Sequence, residues 1–243
     1  DDLIAVAEAA DGPDGTRRSS GVVYVVFGST DLGGIVDTAQ DEQDVTILGA
    51  DAQDALGFSA TSGDLNGDGI DDIILVAQRG DGLGNSRSTS GEAYVIWGSP
   101  DLGGTIDLGE GEEDIIIGGL DAHDLLSSSS AGSDLNGDGI DDLILGTRFG
   151  GGPDNTRDSA GEAYIMFGAA ALQGAIDLAL GSHDITIFGA EPEDALGAAV
   201  GSGDIDGDGA VEIILVAIAA DGPDNARADA GEIYVIAVPD AGQ

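Results

Sequence analysis

Short apolar runs separated by glycine- and aspartate-rich segments make up the whole chain. Residues 72–77, for example, read Asp-Ile-Ile-Leu-Val-Ala, and residues 92–98 read Glu-Ala-Tyr-Val-Ile-Trp-Gly. Runs of about four to eight β-branched and aromatic residues, bounded by turn residues, are typical of strands. No segment combines a sustained helical period with helix caps. The pattern therefore predicts an all-β protein.

The same pattern returns every 70 residues without a net insertion or deletion. All four tyrosines keep this phase, and they are Tyr24, Tyr94, Tyr164 and Tyr234. We therefore interpret residues 1–243 as a single repeat array. Its units are residues 1–70, 71–140 and 141–210, with a partial unit at 211–243.

Each unit contains four predicted strands. In the second period they lie at 56–63, 72–77, 92–98 and 114–118. Four short strands in a repeat of this length predict one blade of a β-propeller. In phase, the first blade lacks its first strand and the last blade lacks its fourth. The sequence therefore predicts about four blades, with 14 strands and incomplete terminal blades.

Composition excludes several classes of function. The formal net charge is −40, because 47 acidic residues stand against 7 basic ones, all of them Arg. A P-loop requires a Lys, which the chain lacks, and a field this negative repels nucleic acid. There is no Cys, so neither disulfides nor thiol-based metal sites are available. No apolar stretch approaches the ~20 residues needed to span a bilayer.

The strongest motif lies between the first and second strands of each unit. It reads Asp-Leu-Asn-Gly-Asp-Gly-Ile-Asp-Asp at 64–72 and again at 134–142, and Asp-Ile-Asp-Gly-Asp-Gly-Ala-Val-Glu at 204–212. Side-chain oxygens at positions 1, 3, 5 and 9, with the carbonyl of position 7, can converge on one hard cation, and an all-oxygen set favours Ca²⁺. About three Ca²⁺ sites are predicted. Their ligands are Asp64, Asn66, Asp68, Ile70 and Asp72; Asp134, Asn136, Asp138, Ile140 and Asp142; and Asp204, Asp206, Asp208, Ala210 and Glu212.

Two other interpretations of this motif fit less well. An EF-hand requires a bidentate Glu at position 12 and flanking helices. Position 12 is Leu75, Leu145 and Leu215 here, each inside a predicted strand. A turn cluster without a metal does not explain why three copies recur in phase. Calcium binding is therefore the favoured hypothesis.

At these residues the chain resembles the FG-GAP repeats of the integrin α-subunit propeller and their bacterial relatives. The resemblance rests on the acidic loop, the apolar strand after it, a loop rich in Gly, Asp, Pro and Asn, and the run at 92–98. The namesake Phe-Gly pair is degenerate, since residues 56–57, 126–127 and 196–197 read Leu-Gly, Leu-Ser and Leu-Gly. The resemblance implies an extracellular or cell-surface propeller braced by calcium, with a role in adhesion or structural assembly. Such a propeller alternatively serves as a lectin-like glycan-binding module or an accessory domain of a polysaccharide-acting enzyme.

No catalytic arrangement stands out from the acidic background, so we expect no enzyme activity. Four arginines recur in phase, and we expect them to act as internal latches to nearby carboxylates: Arg17, Arg87, Arg157 and Arg227. The Lys-free acidic composition suggests a saline environment.

The unmatched terminal blades leave three possibilities open. The chain closes as a small four-bladed propeller, or it pairs with other copies as a homo-oligomer or filament, or it is part of a longer chain. Expected ligands are cell-surface proteins or glycans, without nucleic acid and without a membrane span.

Overall fold

A computed structural model describes residues 2–30 and 32–238. The predicted array extends beyond them at residue 1 and at residues 239–243, which lie outside the described residues. The strands in chain order are β1 (Leu3–Ala7), β2 (Val22–Val26), β3 (Val45–Leu48), β4 (Leu56–Gly63), β5 (Asp72–Ala77), β6 (Glu92–Ile96), β7 (Gly104–Asp107), β8 (Ile115–Gly118), β9 (Leu126–Ser133), β10 (Asp142–Thr147), β11 (Glu162–Met166), β12 (Gly174–Asp177), β13 (Ile185–Phe188), β14 (Leu196–Gly203), β15 (Glu212–Ala217) and β16 (Glu232–Ala237).

Helical structure in the described residues consists of single 3₁₀ turns. They lie at Pro13–Gly15, Thr38–Gln40, Leu83–Asn85, Leu108–Glu110, Pro153–Asn155, Leu178–Leu180 and Pro223–Asn225. None of these turns is long or apolar enough to cross a membrane. The protein is all-β, as predicted, and its sheets are arranged like the blades of a propeller.

Four sheets follow one another along the chain, and we call them blades 1 to 4. Blade 1 contains β1, β2 and β3, and blade 4 contains β14, β15 and β16. Blade 2 contains β4, β5, β6 and β8, and blade 3 contains β9, β10, β11 and β13. Successive strands within a blade are antiparallel neighbours, and the segments that join them are rich in Gly and Asp. These 14 strands are the ones the sequence predicts.

Two further strands join neighbouring blades, and the sequence analysis missed them. Strand β7 comes from the second repeat but pairs in parallel with β3 of blade 1, with Val45 opposite Gly104. Strand β12 comes from the third repeat and pairs in the same way with β8 of blade 2, with Ile115 opposite Gly174. Each of these blades is therefore completed at its outer edge by a segment of the next repeat.

The core lies between blades. Alternate side chains of each strand point to opposite faces, so one face of a blade packs on the preceding blade and the other on the following one. On blade 2, Ile73 and Leu75 pack against Val23 and Val25 of blade 1. The other face carries Ile74 and Val76, which pack against Leu143 and Leu145 of blade 3. A third cluster joins blades 3 and 4.

The in-phase tyrosines and arginines also connect blades. Tyr94 and Tyr164 are fully buried in the clusters between blades, which agrees with their repeated phase. Arg87 Nη2 lies 2.7 Å from Asp177 Oδ1, at the end of β12. Arg17 Nη2 lies 2.5 Å from Asp107 Oδ2, at the end of β7. The latch role is confirmed for these two arginines, and their partners belong to the next repeat.

Arg157 differs from these two arginines. Its Nη1 donates to the backbone carbonyls of Gly189 and Ala190. Arg17 makes the matching carbonyl contacts to Gly49 and Ala50 as well as its ion pair. Within the part of the chain that the structure describes, Arg157 has no carboxylate partner.

Candidate metal centre

The three acidic loops lie at the same end of blades 2, 3 and 4. Each loop joins the first strand of its blade to the second, linking β4 to β5, β9 to β10 and β14 to β15. Because these strand pairs are antiparallel, each loop has to reverse the chain within a few residues. Gly67 and Gly69 have φ angles of 74° and 88°, which glycine adopts without a steric penalty.

In the first loop, the aspartate at position 1 organises the turn. Asp64 Oδ1 accepts hydrogen bonds from the backbone N–H groups of Gly67 (2.8 Å) and Asp68 (3.0 Å). Its Oδ2 accepts from Gly69 N at 2.8 Å. The loop therefore wraps around the Asp64 carboxylate. The side chains at positions 3 and 5 join it, since Asn66 Oδ1 and Asp68 Oδ1 accept from N–H groups two residues further on.

The second loop has the same geometry. Asp134 Oδ1 accepts from Gly137 N at 2.7 Å and from Asp138 N at 3.0 Å. Its Oδ2 accepts from Gly139 N at 2.7 Å. The same hydrogen bonds around the position-1 aspartate therefore recur in both copies of the motif.

Position 9 of the first two loops is the only buried ligand candidate in each. Asp72 is the first residue of β5, and its Oδ2 and Oδ1 accept from Leu65 N and Gly98 N, both at 2.9 Å. Burial raises the pKa of Asp72 to about 6, although these two N–H groups oppose the rise. Burial likewise raises the pKa of Asp142 to about 6, against the N–H groups of Gly168 and Leu135. A bound cation would favour the ionised form of both groups.

The third loop brings its carboxylates closest together. Asp204, Asp206 and Asp208 each offer an oxygen, and these oxygens all lie within 4.8 Å of one another. The three side chains are exposed. Glu212 occupies position 9 and accepts from Ile205 N at 2.8 Å. This set of converging hard oxygen donors is suited to Ca²⁺.

One residue outside the predicted ligands holds two loops together. Asp141 Oδ2 accepts from Asp64 N at 2.9 Å, and Asp141 N donates to Asp64 O at 3.1 Å. The first loop is thereby fastened to the second. The signal in the sequence is the paired Asp-Asp at 71–72 and 141–142, which becomes Val-Glu at 211–212.

Carboxylates are also buried at the opposite end of the blades, where the sequence suggests no site. Asp54 and Asp124 precede β4 and β9, and each is only 6% exposed. Glu92 and Glu162 are buried beside them, and each accepts a hydrogen bond from the tyrosine hydroxyl two residues on. Burial, with repulsion from Asp54, raises the pKa of Glu92 to about 7. These groups are buried among other acids rather than among cations.

Sheet order and loop geometry together define a propeller-type repeat protein with acidic turn loops. Residues 56–96 and 126–166 match the family model described as FG-GAP repeat. The chain therefore contains two FG-GAP repeats, even though the Phe-Gly pair itself is replaced.

Two curated relatives show local similarity. Phosphatidylinositol-glycan-specific phospholipase D of Mus musculus is 32% identical over 161 residues, covering 66% of this chain and 18% of that protein. The protein of the same name from Rattus norvegicus is 31% identical over 181 residues, covering 74% of this chain and 20% of that protein. The chain thus spans about a fifth of the length of these relatives.

Proposed function

We propose that this chain is a calcium-stabilised propeller module that acts outside the cell in adhesion or structural assembly and catalyses no reaction itself. The observation that carries the proposal is the loop geometry, in which the carboxylate at position 1 of each loop accepts N–H groups of its own loop. In the third loop, one oxygen from each of Asp204, Asp206 and Asp208 already lies within 4.8 Å of the other two.

A cation gives these loops a structural role. Without an ion, Asp64, Asp68 and Asp72 repel one another, and this repulsion contributes to the raised pKa of Asp72. With Ca²⁺ bound, the same charges fix the turn between the first two strands of the blade. Extracellular calcium modules bind with a Kd of roughly 10⁻⁴–10⁻³ M, which suits a site that is filled outside the cell. FG-GAP repeats in this setting support an extracellular location.

An assembly role is supported by the outward face of blade 4. Ile233 is 68% exposed and Val235 is 52% exposed. Their counterparts on blade 2, Ala93 and Val95, are buried against blade 3. The exposed face therefore suits a further blade of the same kind, whether another copy or another part of the same protein supplies it.

Calorimetric calcium titration of chelator-treated protein tests the metal part of the proposal. We expect about three sites, and we expect D72N to remove one of them. D54N, at the opposite end of the same blade, is the matched control and should leave the number unchanged. Equal stoichiometry in all three proteins, or no binding at millimolar calcium, would contradict the proposal.

Light scattering in calcium and in excess chelator tests assembly. A mass above the 24.1 kDa of one chain that falls on chelation is the expected result. I233D should lower that mass while leaving calcium binding intact. A monomer at all concentrations would remove the support for self-assembly and leave the calcium sites unaffected.

A further inference from the structure

A polar cavity of about 500 Å³ lies in blade 3, at the end opposite the acidic loops. Its lining includes Asp124, Phe149, Gly151, Asn155 and Asp158. The residues come from the link between blades 2 and 3 and from the connection between β10 and β11. Neither segment belongs to the predicted calcium sites.

Asp124 is the unusual member of this lining. It is 94% buried, and its Oδ2 makes no hydrogen bond within the part of the chain that the structure describes. A buried carboxylate oxygen without a partner is costly, because it has lost water and gained nothing in exchange. Burial, together with repulsion from Glu162 and Asp121, raises the pKa of Asp124 to about 7. Among the described residues, Asp124 forms no ion pair.

A single replacement distinguishes this cavity from the same place in the other blades. Position 151 is Gly, whereas positions 11, 81 and 221 are Asp. Each of those three aspartates accepts a hydrogen bond from a backbone N–H eight residues further on; for Asp81 the donor is Thr89 N at 2.8 Å. At Gly151 this place is taken by the Asn155 side chain, whose Oδ1 lies where a Cβ would stand. Blade 3 therefore has an amide oxygen, rather than a second carboxylate, at this position.

Three of the five polar side chains that line the cavity offer carboxylate or amide acceptors, and the other two are His123 and Ser159. Asp124 and Asp158 are carboxylates, so both can only accept hydrogen bonds when ionised. The Asn155 amide donates from Nδ2 to Asp121 Oδ2 at 2.9 Å, which leaves its Oδ1 as an acceptor beside Gly151. A group with several donors, no acceptor and a positive charge matches this set.

A bare metal ion matches it less well. Among the described residues, the acidic side chains with three oxygens near enough to share one ion are Asp204, Asp206 and Asp208, which lie in another blade. The acids that line this cavity form no such group of three, and its volume exceeds what one ion fills. Phe149 adds an apolar wall, with the Arg148 guanidinium 4.8 Å from the ring centroid.

We propose that this cavity binds the ammonium group of a small primary amine, with Asp124 as the charged partner and Asn155 and Asp158 as further acceptors. The ammonium would give Asp124 Oδ2 the donor that it lacks among the described residues. The alkyl part would lie along Phe149. The proposal does not depend on the calcium sites or on self-assembly.

Titration calorimetry in saturating calcium, with n-butylammonium chloride as the probe, tests the proposal. We expect one site per chain. D124N keeps the shape but removes the charge, and it should weaken binding about 10- to 100-fold, the usual loss for a hydrogen bond to a charged group. G151D introduces the aspartate of blades 2 and 4 and should abolish binding, which provides a second test if D124N fails to fold. D54N, at the equivalent position of blade 2, should bind as the unmodified chain does.

Two further probes separate this site from general attraction to an acidic chain. Tetramethylammonium has the charge without N–H donors, and 1-butanol has the alkyl chain without the charge, so both should bind at least about tenfold more weakly. Equal binding of tetramethylammonium, or equal binding by D124N and D54N, would overturn the proposal. A loss of one calcium site in D124N would overturn it too, since the cavity would then be a metal site.

Discussion

The two ends of a blade both bury carboxylates, but they stabilise them in different ways. At the loop end, Asp72 accepts two backbone N–H groups and lies beside a predicted cation site. At the other end, Asp54 has an Oδ2 with no partner among the described residues, and the Glu92 carboxylate accepts a hydrogen bond from the Tyr94 hydroxyl. Both carboxyl pKa values are raised by burial, to about 6 for Asp54 and about 7 for Glu92.

The comparison shows that burial alone does not define a metal site. What differs is the set of surrounding groups: an N–H-lined turn at one end, and a cluster of acids at the other. We therefore expect the loop end to respond mainly to calcium and the opposite end mainly to pH.

Calcium removal should have the largest effect. At about 5 mM free calcium and the Kd range above, each site contributes about 1–2 kcal/mol to the free energy of unfolding, or about 3–7 kcal/mol for three sites. Thermal unfolding with and without chelator measures this. D72N should lose part of the calcium-dependent stability and D54N none of it. An equal response in both variants would break the distinction between the two ends.

E92Q should show the second largest effect, and only at higher pH. The pKa of Glu92 is raised from 4.5 to about 7. Between these values the folded chain holds a proton that the unfolded chain releases, so the free energy of unfolding falls as pH rises. We expect E92Q to be more stable than the parent by about 1–3 kcal/mol at pH 8 and nearly equal to it at pH 4.

Urea unfolding at fixed calcium, repeated across this pH range, measures the E92Q difference. E8Q changes an exposed glutamate and provides the control for net charge. A gain in E92Q that does not depend on pH would mean that the buried carboxyl is not the source.

Asp177 lies at the acid-rich end of the blade but, unlike Asp54 and Glu92, it forms an ion pair, with Arg87. The side chains of this pair are about one-fifth exposed, so solvent screening limits its contribution to about 1 kcal/mol. A double-mutant cycle with R87Q and D177N should give a coupling energy of that size. R157Q is the control, because Arg157 contacts only backbone carbonyls in the described residues. A coupling energy near zero would assign the stabilising role of β12 to its backbone pairing.

The smallest effect concerns the bridge between the loops. D141A removes the acceptor of the Asp64 N–H and should cost about 0.5–1 kcal/mol. It should also weaken calcium binding at the first loop by a few-fold. D71A is a milder control, since the hydrogen bond that Asp71 Oδ2 accepts from Ser62 Oγ is long, at 3.4 Å. If both variants behave alike, the bridge does not position the first loop.

Much of the fold could be predicted because the same pattern of strands and turns recurs in each 70-residue repeat. The predicted bounds of β4 and β5 agree with the structure, since each strand is a complete apolar or small-residue run between turns. The short segments that form β7 and β12 resemble loops, and their partners lie 59 residues earlier in the chain. Their recurring Gly-x-Ile-Asp was a usable signal, although nothing local specifies the pairing.

The candidate site divides in the same way. The candidate loop ligands were predicted from their spacing, because those of each loop lie within nine residues. The structure brings acidic side chains of the third loop together, at Asp204, Asp206 and Asp208. The burial of Asp54 and Asp124, and the cavity beside Asp124, could not be predicted from the sequence. Their significance depends on which of 47 acidic residues are buried, and only tertiary packing decides that.

The strands β7 and β12 also bear on how the chain is made. A ribosome releases Val45–Leu48 well before Gly104–Asp107, so blade 1 cannot acquire its outer strand until much of the second repeat has emerged. Blade 2 likewise cannot acquire β12 until part of the third repeat has emerged. We therefore expect synthesis to order the repeats from the N-terminal side, each new repeat completing the one before it.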